Sequence, residues 1–150
     1  MIFDYITFGN DPNSKMIPMI KKICLILLCF VVFQTVQAQD INVLFKKGLE
    51  KKEAGDFAAA IQFFDQVIKK DSTYSEAYNN RGVAYFQLKK LELALKDFDK
   101  SLILNDKNAQ AFNNRGSVLF NLGKTEEAIS DFTKSIELEP KNGKTYVNRA

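Results

Sequence analysis

Apolar residues recur through most of this chain at intervals of three and four, the spacing of one face of an α-helix. Within residues 75–108, Ala77, Tyr78, Ala84, Tyr85 and Leu88 form one stripe, and Leu91, Ala94, Leu95, Phe98 and Leu102 form a second. The spacing predicts two helices, over residues 75–88 and 91–104. The pattern then returns: residues 109–142 align with residues 75–108 without a gap and are identical at 17 of 34 positions. Both copies carry A-x-N-N-R-G near the start and A-x-x-D-F-x-K-S near the end. Residues 41–74 keep the frame more loosely, with Gly48, Ala60, Phe64 and Lys70 in register. A further copy begins at Gly143, with Tyr146, Asn148 and Arg149 in register. A fixed period of this size marks one supersecondary unit stacked on copies of itself.

Punctuation agrees with the pairing. Gly55 and Gly123 fall between the two helices of a copy, where a helix C-terminus favours glycine. Asp71, Ser72, Asn105, Asp106 and Pro140 fall between copies, and these residue types favour turns and helix starts. Gly48, Gly82 and Gly116 recur inside the first helix of each pair. A mid-helix glycine costs about 1 kcal/mol relative to alanine, so recurrence at one position implies close packing that offsets the cost. Ala60, Ala94 and Ala128 are the matching small residues of the second helices, and Phe64, Phe98 and Phe132 the large ones.

Tyr78, Gly82, Tyr85, Ala94, Phe98 and Ser101, with Phe112, Gly116, Leu119, Ala128, Phe132, Ser135 and Pro140, carry a resemblance to the tetratricopeptide repeat family. The resemblance implies an all-α, right-handed superhelical solenoid of antiparallel helix pairs and a protein-binding role. It covers residues 41–150, as repeats 41–74, 75–108 and 109–142 and a truncated fourth over 143–150. The first repeat departs, with Lys51 in place of an apolar residue and Ser72 in place of proline.

Turning 100° per residue from Tyr78 puts Glu76, Asn79, Asn80, Val83, Phe86 and Gln87 on the opposite face. The equivalents are Gln110, Asn113, Asn114, Ser117, Phe120 and Asn121 in the third copy, and Asn42, Phe45, Lys46, Leu49, Lys52 and Glu53 in the first. The resemblance places this face in a concave groove that holds an extended peptide or partner helix. Carboxamides suit such a groove because they donate and accept hydrogen bonds at once. The expected groove residues are therefore Asn79, Asn80, Val83, Phe86, Gln87, Asn113, Asn114, Ser117, Phe120 and Asn121. The alternative role for the asparagines is bonding to neighbouring backbone or turn groups. Replacing Asn79 and Asn113 by alanine is expected to weaken partner binding and leave helicity intact. Some family members clamp a C-terminal carboxylate with basic groove residues. Here Phe45 and Leu49 stand where the resemblance implies a lysine and an asparagine, and Gln110 and Asn114 where it implies basic residues, which argues against acidic chaperone tails as ligands.

The first forty residues have another character. Lys21 and Lys22 precede 11 apolar residues, 23–33, and Val36 and Ala38 follow. The run is shorter than the ~20 residues of a membrane span and matches a signal-peptide core. The expectation is an N-terminal extension and signal peptide over residues 1–38, cleavage after Ala38, and an exported domain over 39–150. The alternative is an uncleaved anchor. Met16 or Met19 makes a cleaner start than Met1, because Asp4 and Asp11 precede the lysines. Cleavage removes Cys24 and Cys29, so the mature chain lacks cysteine as well as histidine and tryptophan. Its 18 basic and 16 acidic residues leave a net charge of +2. The signs are interspersed, which is no footprint for nucleic acid.

Catalysis is not expected. The mature chain has no imidazole base, thiolate nucleophile or conventional zinc ligand set. Asp97, Asp99 and Asp131 read as a solvated or ion-paired face rather than a carboxylate cluster. Ser101 and Ser135 read as small packing residues, and Gly82 and Gly116 belong to no phosphate-cradling loop. Arg81 and Arg115 each have an aspartate 16 residues on, Asp97 and Asp131, whereas the first copy has Lys47 and Phe63. That covariation predicts an ion pair inside each hairpin. The expected function is a non-catalytic interaction scaffold or adaptor with a protein or peptide partner. No cofactor, small-molecule substrate or nucleic acid is expected, and the membrane is met only through the signal peptide. The alternatives are a recognition arm of a larger enzyme or a structural subunit, with the remaining domain beyond residue 150. An open end after the third copy predicts partial exposure of Ile129, Phe132 and Ile136.

Overall fold

The computed structural model describes residues 25–28 and 40–149. Residues 25–28 are helical and exposed, and belong to a unit, Met1–Gln39, separate from the repeat unit Asp40–Ala150. The predicted cleavage point after Ala38, the lysine pair and most of the apolar run lie outside the described residues. Among the described residues no helix is long and apolar enough to cross a membrane.

The repeat unit is a row of helices: α1 over residues 40–53, α2 Phe57–Lys70, α3 Ser75–Gln87, α4 Leu91–Leu104, α5 Ala109–Asn121, α6 Thr125–Leu138 and α7 Gly143–Arg149. The described residues contain no strand. The pairs α1/α2, α3/α4 and α5/α6 are the three predicted hairpins, and α7 opens the fourth copy. The sequence places the end of α3 at Leu88; the helix closes at Gln87, with Leu88 as its C-cap.

Each hairpin turn has the same chemistry. Gly55 and Gly123 adopt φ of +77° and +75°. The Gly55 and Asp56 amides donate to the Lys52 and Lys51 carbonyls, and the Gly123 and Lys124 amides to those of Phe120 and Leu119. These bonds satisfy carbonyls that a helix end leaves open. The middle hairpin makes the same bonds, from Lys89 to Phe86 and Lys90 to Tyr85, but puts Lys89 at φ +60° where its neighbours use glycine. Asp56 and Asn108 cap α2 and α5 by accepting from the Ala59 and Ala111 amides.

The recurrent glycines are sites of close approach. A Cβ on Gly48, Gly82 or Gly116 would stand 2.6, 2.9 or 2.7 Å from Cε1 of Phe64, Phe98 or Phe132. Ala60, Ala94 and Ala128 are buried beside the same rings. Successive hairpins then share a core. Val118 of α5 packs into the cluster of Ala94 and Phe98, with Phe86, Leu91, Leu95 and Leu122 around it. At the last hairpin Ile129 is exposed and Ile136 half-buried, as anticipated, but Phe132 is buried. Its ring sits in the Gly116 notch of its own hairpin and does not depend on a following repeat.

A candidate peptide groove and its ion-pair lattice

The positions assigned to the groove divide into two groups. Gln87, Phe120 and Asn121 are exposed, and Asn80, Val83, Phe86, Asn113, Asn114 and Ser117 are half-buried. Asn79 is only 4% exposed. Its Oδ1 accepts from Asn114 Nδ2 of the next hairpin at 3.1 Å. One period on, Asn148 Nδ2 donates to Asn113 Oδ1 at 3.0 Å. The adjacent asparagines of the N-N pair therefore work as a ladder: the second residue of one repeat reaches the first residue of the repeat before. Asn79 is thus committed to the stack, and its replacement by alanine bears on repeat docking as well as on any ligand.

The first hairpin ends the ladder differently. Phe45 occupies the register of Asn79, and its ring lies 5.0 Å from Tyr74 and 5.8 Å from Phe64. It belongs to the interior of the first hairpin rather than to a ligand-facing row. Asn80 instead accepts from Lys52 Nζ at 2.6 Å and donates through Nδ2 to the Glu76 carbonyl. Burial pulls the pKa of the Lys52 ammonium down, against the raising effect of Glu53. Val83 and Phe86 pack partly against the Ala94–Phe98–Val118 cluster. In α5, Ser117 Oγ donates to the Asn113 carbonyl and Asn121 Nδ2 to that of Ser117. The face left for a ligand runs along Asn80, Phe86 and Gln87, then Asn114, Phe120 and Asn121.

Behind this face lies a lattice of ions. Arg81 Nε and Nη2 donate to the two Asp97 oxygens, both at 2.7 Å. Arg115 makes the same two-pronged contact to Asp131, at 2.7 and 2.8 Å. Both predicted ion pairs are thus formed. Each arginine also holds a second carboxylate from the preceding hairpin: Arg81 Nη1 meets Asp65 at 2.6 Å and Arg115 Nη1 meets Asp99 at 2.7 Å. Those second partners escaped sequence reasoning. They stand 16 residues before each arginine, as Asp97 and Asp131 stand 16 after, so the register contained the signal.

The inner partners are well covered, with the Asp97 and Asp131 side chains 6% and 8% exposed; the outer ones, Asp65 and Asp99, are 50% and 46% exposed. Burial opposes the Arg81 charge, but the hydrogen bonds to Asp97 and Asp65 prevail and hold its pKa above the ordinary arginine value. Arg115 is raised by its bond to Asp131, against burial and with help from Asp99. Burial pushes the Asp97 carboxyl above its usual range, and the Arg81 hydrogen bond offsets only part of that. The guanidinium of Arg81 also lies over the Tyr78 and Tyr85 rings, at 5.5 and 5.9 Å from the centroids. Asp97, Asp99 and Asp131 are therefore structural ion-pair partners, committed to arginines.

Comparison with known proteins fits this geometry. A profile described as "Tetratricopeptide repeat" matches residues 75–108 and 109–142, and one described as "TPR repeat" matches residues 48–89. NADPH oxidase activator 1 of Rattus norvegicus is 39% identical over 70 residues, covering 47% of this chain; the chain spans 15% of that protein's length. The first TPR of Spaghetti (RPAP3), solved bound to the HSP90 peptide SRMEEVD, is 32% identical, with 74% of this chain and 88% of that chain covered and a TM-score of 0.72. The TPR domain of Arabidopsis OM64 is 26% identical, with 75% and 93% covered and a TM-score of 0.73. MamA is 26% identical, with 73% and 64% covered and a TM-score of 0.69. Paired helices, the glycine–phenylalanine notch and the recurring 34-residue register converge with these matches: the chain belongs to the tetratricopeptide repeat family.

Proposed function

We propose that the repeat unit is a non-catalytic interaction scaffold that holds an extended peptide or partner helix along the row Asn80, Phe86, Gln87, Asn114, Phe120 and Asn121. The observation that carries this reading is the exposure of Phe120, at 62%, beside the exposed carboxamide of Asn121. A large apolar ring next to a group that both donates and accepts suits a peptide, which offers side chains and backbone amides together. A peptide-bound relative of 32% identity supports the class of ligand. The ligand itself differs from SRMEEVD. Phe45 is a phenyl ring and Asn114 a neutral carboxamide, so neither position supplies a cation for an acidic tail.

A peptide array read against the wild-type chain and the Phe120→Ala/Asn121→Ala variant tests this. Selected peptides should lose at least about tenfold in affinity, near 1.4 kcal/mol, with helicity unchanged. SRMEEVD should bind no better than its scrambled control. Unchanged affinity of the variant for every selected peptide would exclude these residues from recognition.

The scaffold acts after export in this reading. The motivation is the sequence alone: Lys21 and Lys22, the apolar run 23–33, and Val36 and Ala38. N-terminal sequencing of secreted material should begin at Gln39, and retention of the apolar run would replace export with anchoring.

A further inference from the structure

Arg81 and Arg115 are alike in their ions and unlike in their surroundings. Arg81 has an aromatic ring from the turn before it, Tyr78, and another from the turn after, Tyr85, at 5.5 and 5.9 Å from the centroids. Arg115 keeps the first ring, as Phe112 at 5.7 Å, but Leu119 stands in the register of Tyr85. Leucine is shorter than tyrosine and has no π face. Ser130 likewise stands where Lys96 stands one period earlier.

Two shortened side chains thus meet at one place, and a cleft of about 370 Å³ lies there, between α4, α5 and α6. Leu119, 4% exposed, and the half-buried Leu95 give it an apolar side; Asp99, Arg115, Lys124 and Ser130 give it a polar one. The ions of the lining are matched among themselves. Arg115 holds Asp131 and Asp99, and Lys124 holds Glu127. Neither an anion nor a cation is called for. The edge of the Arg115 guanidinium is spent, with Nε and Nη2 on Asp131 and Nη1 on Asp99. Its flat face remains, and that face is what an aromatic ring binds. The Arg115 side chain is 24% exposed against 18% for Arg81, in keeping with one ring fewer beside it.

We propose that this cleft docks a tyrosine side chain of a partner protein, seated on Arg115 as Tyr85 is on Arg81. The second oxygen of Asp99 and the exposed Ser130 hydroxyl suit a phenol O–H at the rim, since Arg115 takes only Asp99 Oδ1. One ring on one cation binds weakly, so the tyrosine arrives as part of a larger protein surface rather than as a free phenol. None of the lining belongs to the peptide row or to α7, so the site is independent of the groove.

The test is titration of the isotope-labelled full chain with N-acetyl-tyrosinamide. The expected result is resonance shifts at Leu95, Leu119 and the Arg115 Nε–H. The cyclohexylalanine and phenylalanine analogues, without the π face and without the hydroxyl, should each bind at least about threefold more weakly. Leu119→Tyr rebuilds the arrangement around Arg81 and should abolish the shifts. Ser130→Lys, at an exposed position outside the core, should weaken them in a chain that folds as wild type. Phe120→Ala/Asn121→Ala should leave them unchanged. Four results overturn the proposal: no shifts at the solubility limit of the probe, shifts confined to other faces, equal binding by either analogue, or wild-type binding by both Leu119→Tyr and Ser130→Lys. Binding of p-cresol with exclusion of N-acetyl-tyrosinamide would equally overturn it, by making a free phenol the occupant.

Discussion

Replacing Gly116 by alanine sets two effects against each other, and the geometry decides the sign. On helix propensity alone the change stabilises by about 1 kcal/mol, since α5 continues through this position. The new methyl would stand 2.7, 2.9 and 3.1 Å from Cε1, Cδ1 and Cζ of Phe132. Contacts below 3.0 Å are not tolerated, so the ring or the helix must retreat by several tenths of an ångström. Phe132 is 2% exposed and packed against Ala128 and Leu119, so a retreat of the ring loosens those contacts. Overpacking of this kind costs about 1–3 kcal/mol. The net expectation is a loss of about 1 kcal/mol, which for a domain of this size lowers Tm by roughly 4–8 °C. Urea and thermal unfolding followed by far-UV circular dichroism measure it. Phe132→Leu in the same chain makes room for the methyl, so the double-mutant cycle should show favourable coupling of at least about 0.5 kcal/mol. Gly82→Ala, with a closest approach of 2.9 Å, should cost less than Gly116→Ala. A Gly116→Ala protein more stable than wild type, or a cycle with zero coupling, would refute the notch as the reason for the glycine.

Three further outcomes follow from single positions. Asp97→Asn removes the charge from the covered two-pronged contact and should cost about 1–3 kcal/mol in urea unfolding, whereas Asp65→Asn, at a half-exposed carboxylate, should cost less than about 1 kcal/mol; equal losses would contradict the assigned inner and outer roles. Lys89→Gly relieves the one hairpin turn that holds a non-glycine residue at φ +60°, and should raise stability by roughly 0.5–1 kcal/mol as read by Tm. Ser101 Oγ is buried and has no hydrogen-bond partner among the described residues, so Ser101→Ala should be neutral or stabilising by up to about 1 kcal/mol; a loss above that size would mean the hydroxyl is bonded in solution.

The helices and their order were legible because stacking imposes the same burial pattern on every copy. A period repeated three times averages out the ambiguity of any one helix. The glycine–phenylalanine notch was legible for the same reason. The groove was legible only in part. A helical wheel describes one helix against one neighbour, yet α3 packs against α4 and also lies beside α5. Asn79 sits at the margin of its wheel, on the side that meets Asn114, so a residue read as ligand-facing is buried between repeats. Phe45 misleads in the opposite way: an aromatic in the register of an asparagine reads as an apolar contact for a ligand, whereas Tyr74 and Phe64 take its ring. The outer carboxylates Asp65 and Asp99 were missed because the pairing was sought only within a hairpin.

Those outer carboxylates change what the arginines do. An arginine bound to one aspartate would fasten the two helices of its own hairpin. Arg81 and Arg115 each fasten three helices, because Asp65 on α2 and Asp99 on α4 reach forward to the next hairpin. Helix α4 therefore presents Asp97 backward to Arg81 and Asp99 forward to Arg115, two residues apart, so one helix serves two consecutive arginines. The planar guanidinium suits this, since its fixed fork takes one carboxylate through two bonds and leaves another nitrogen for a second. The lattice ends in the first hairpin, where Lys47 and Phe63 replace arginine and aspartate, and in the third, where Thr133 stands in the register of Asp65 and Asp99. On the opposite face the asparagine ladder spans the junction of the second and third hairpins through Asn79–Asn114 and that of the third hairpin with α7 through Asn113–Asn148, and the bond from Lys52 to Asn80 spans the first junction. The first two junctions are thus tied on two sides by directional bonds, and the junction with α7 by the ladder alone. Hydrophobic packing alone would let successive hairpins slide or roll; bonds on both sides fix the angle between them, and that angle sets the spacing of Phe86 from Phe120 along the peptide row.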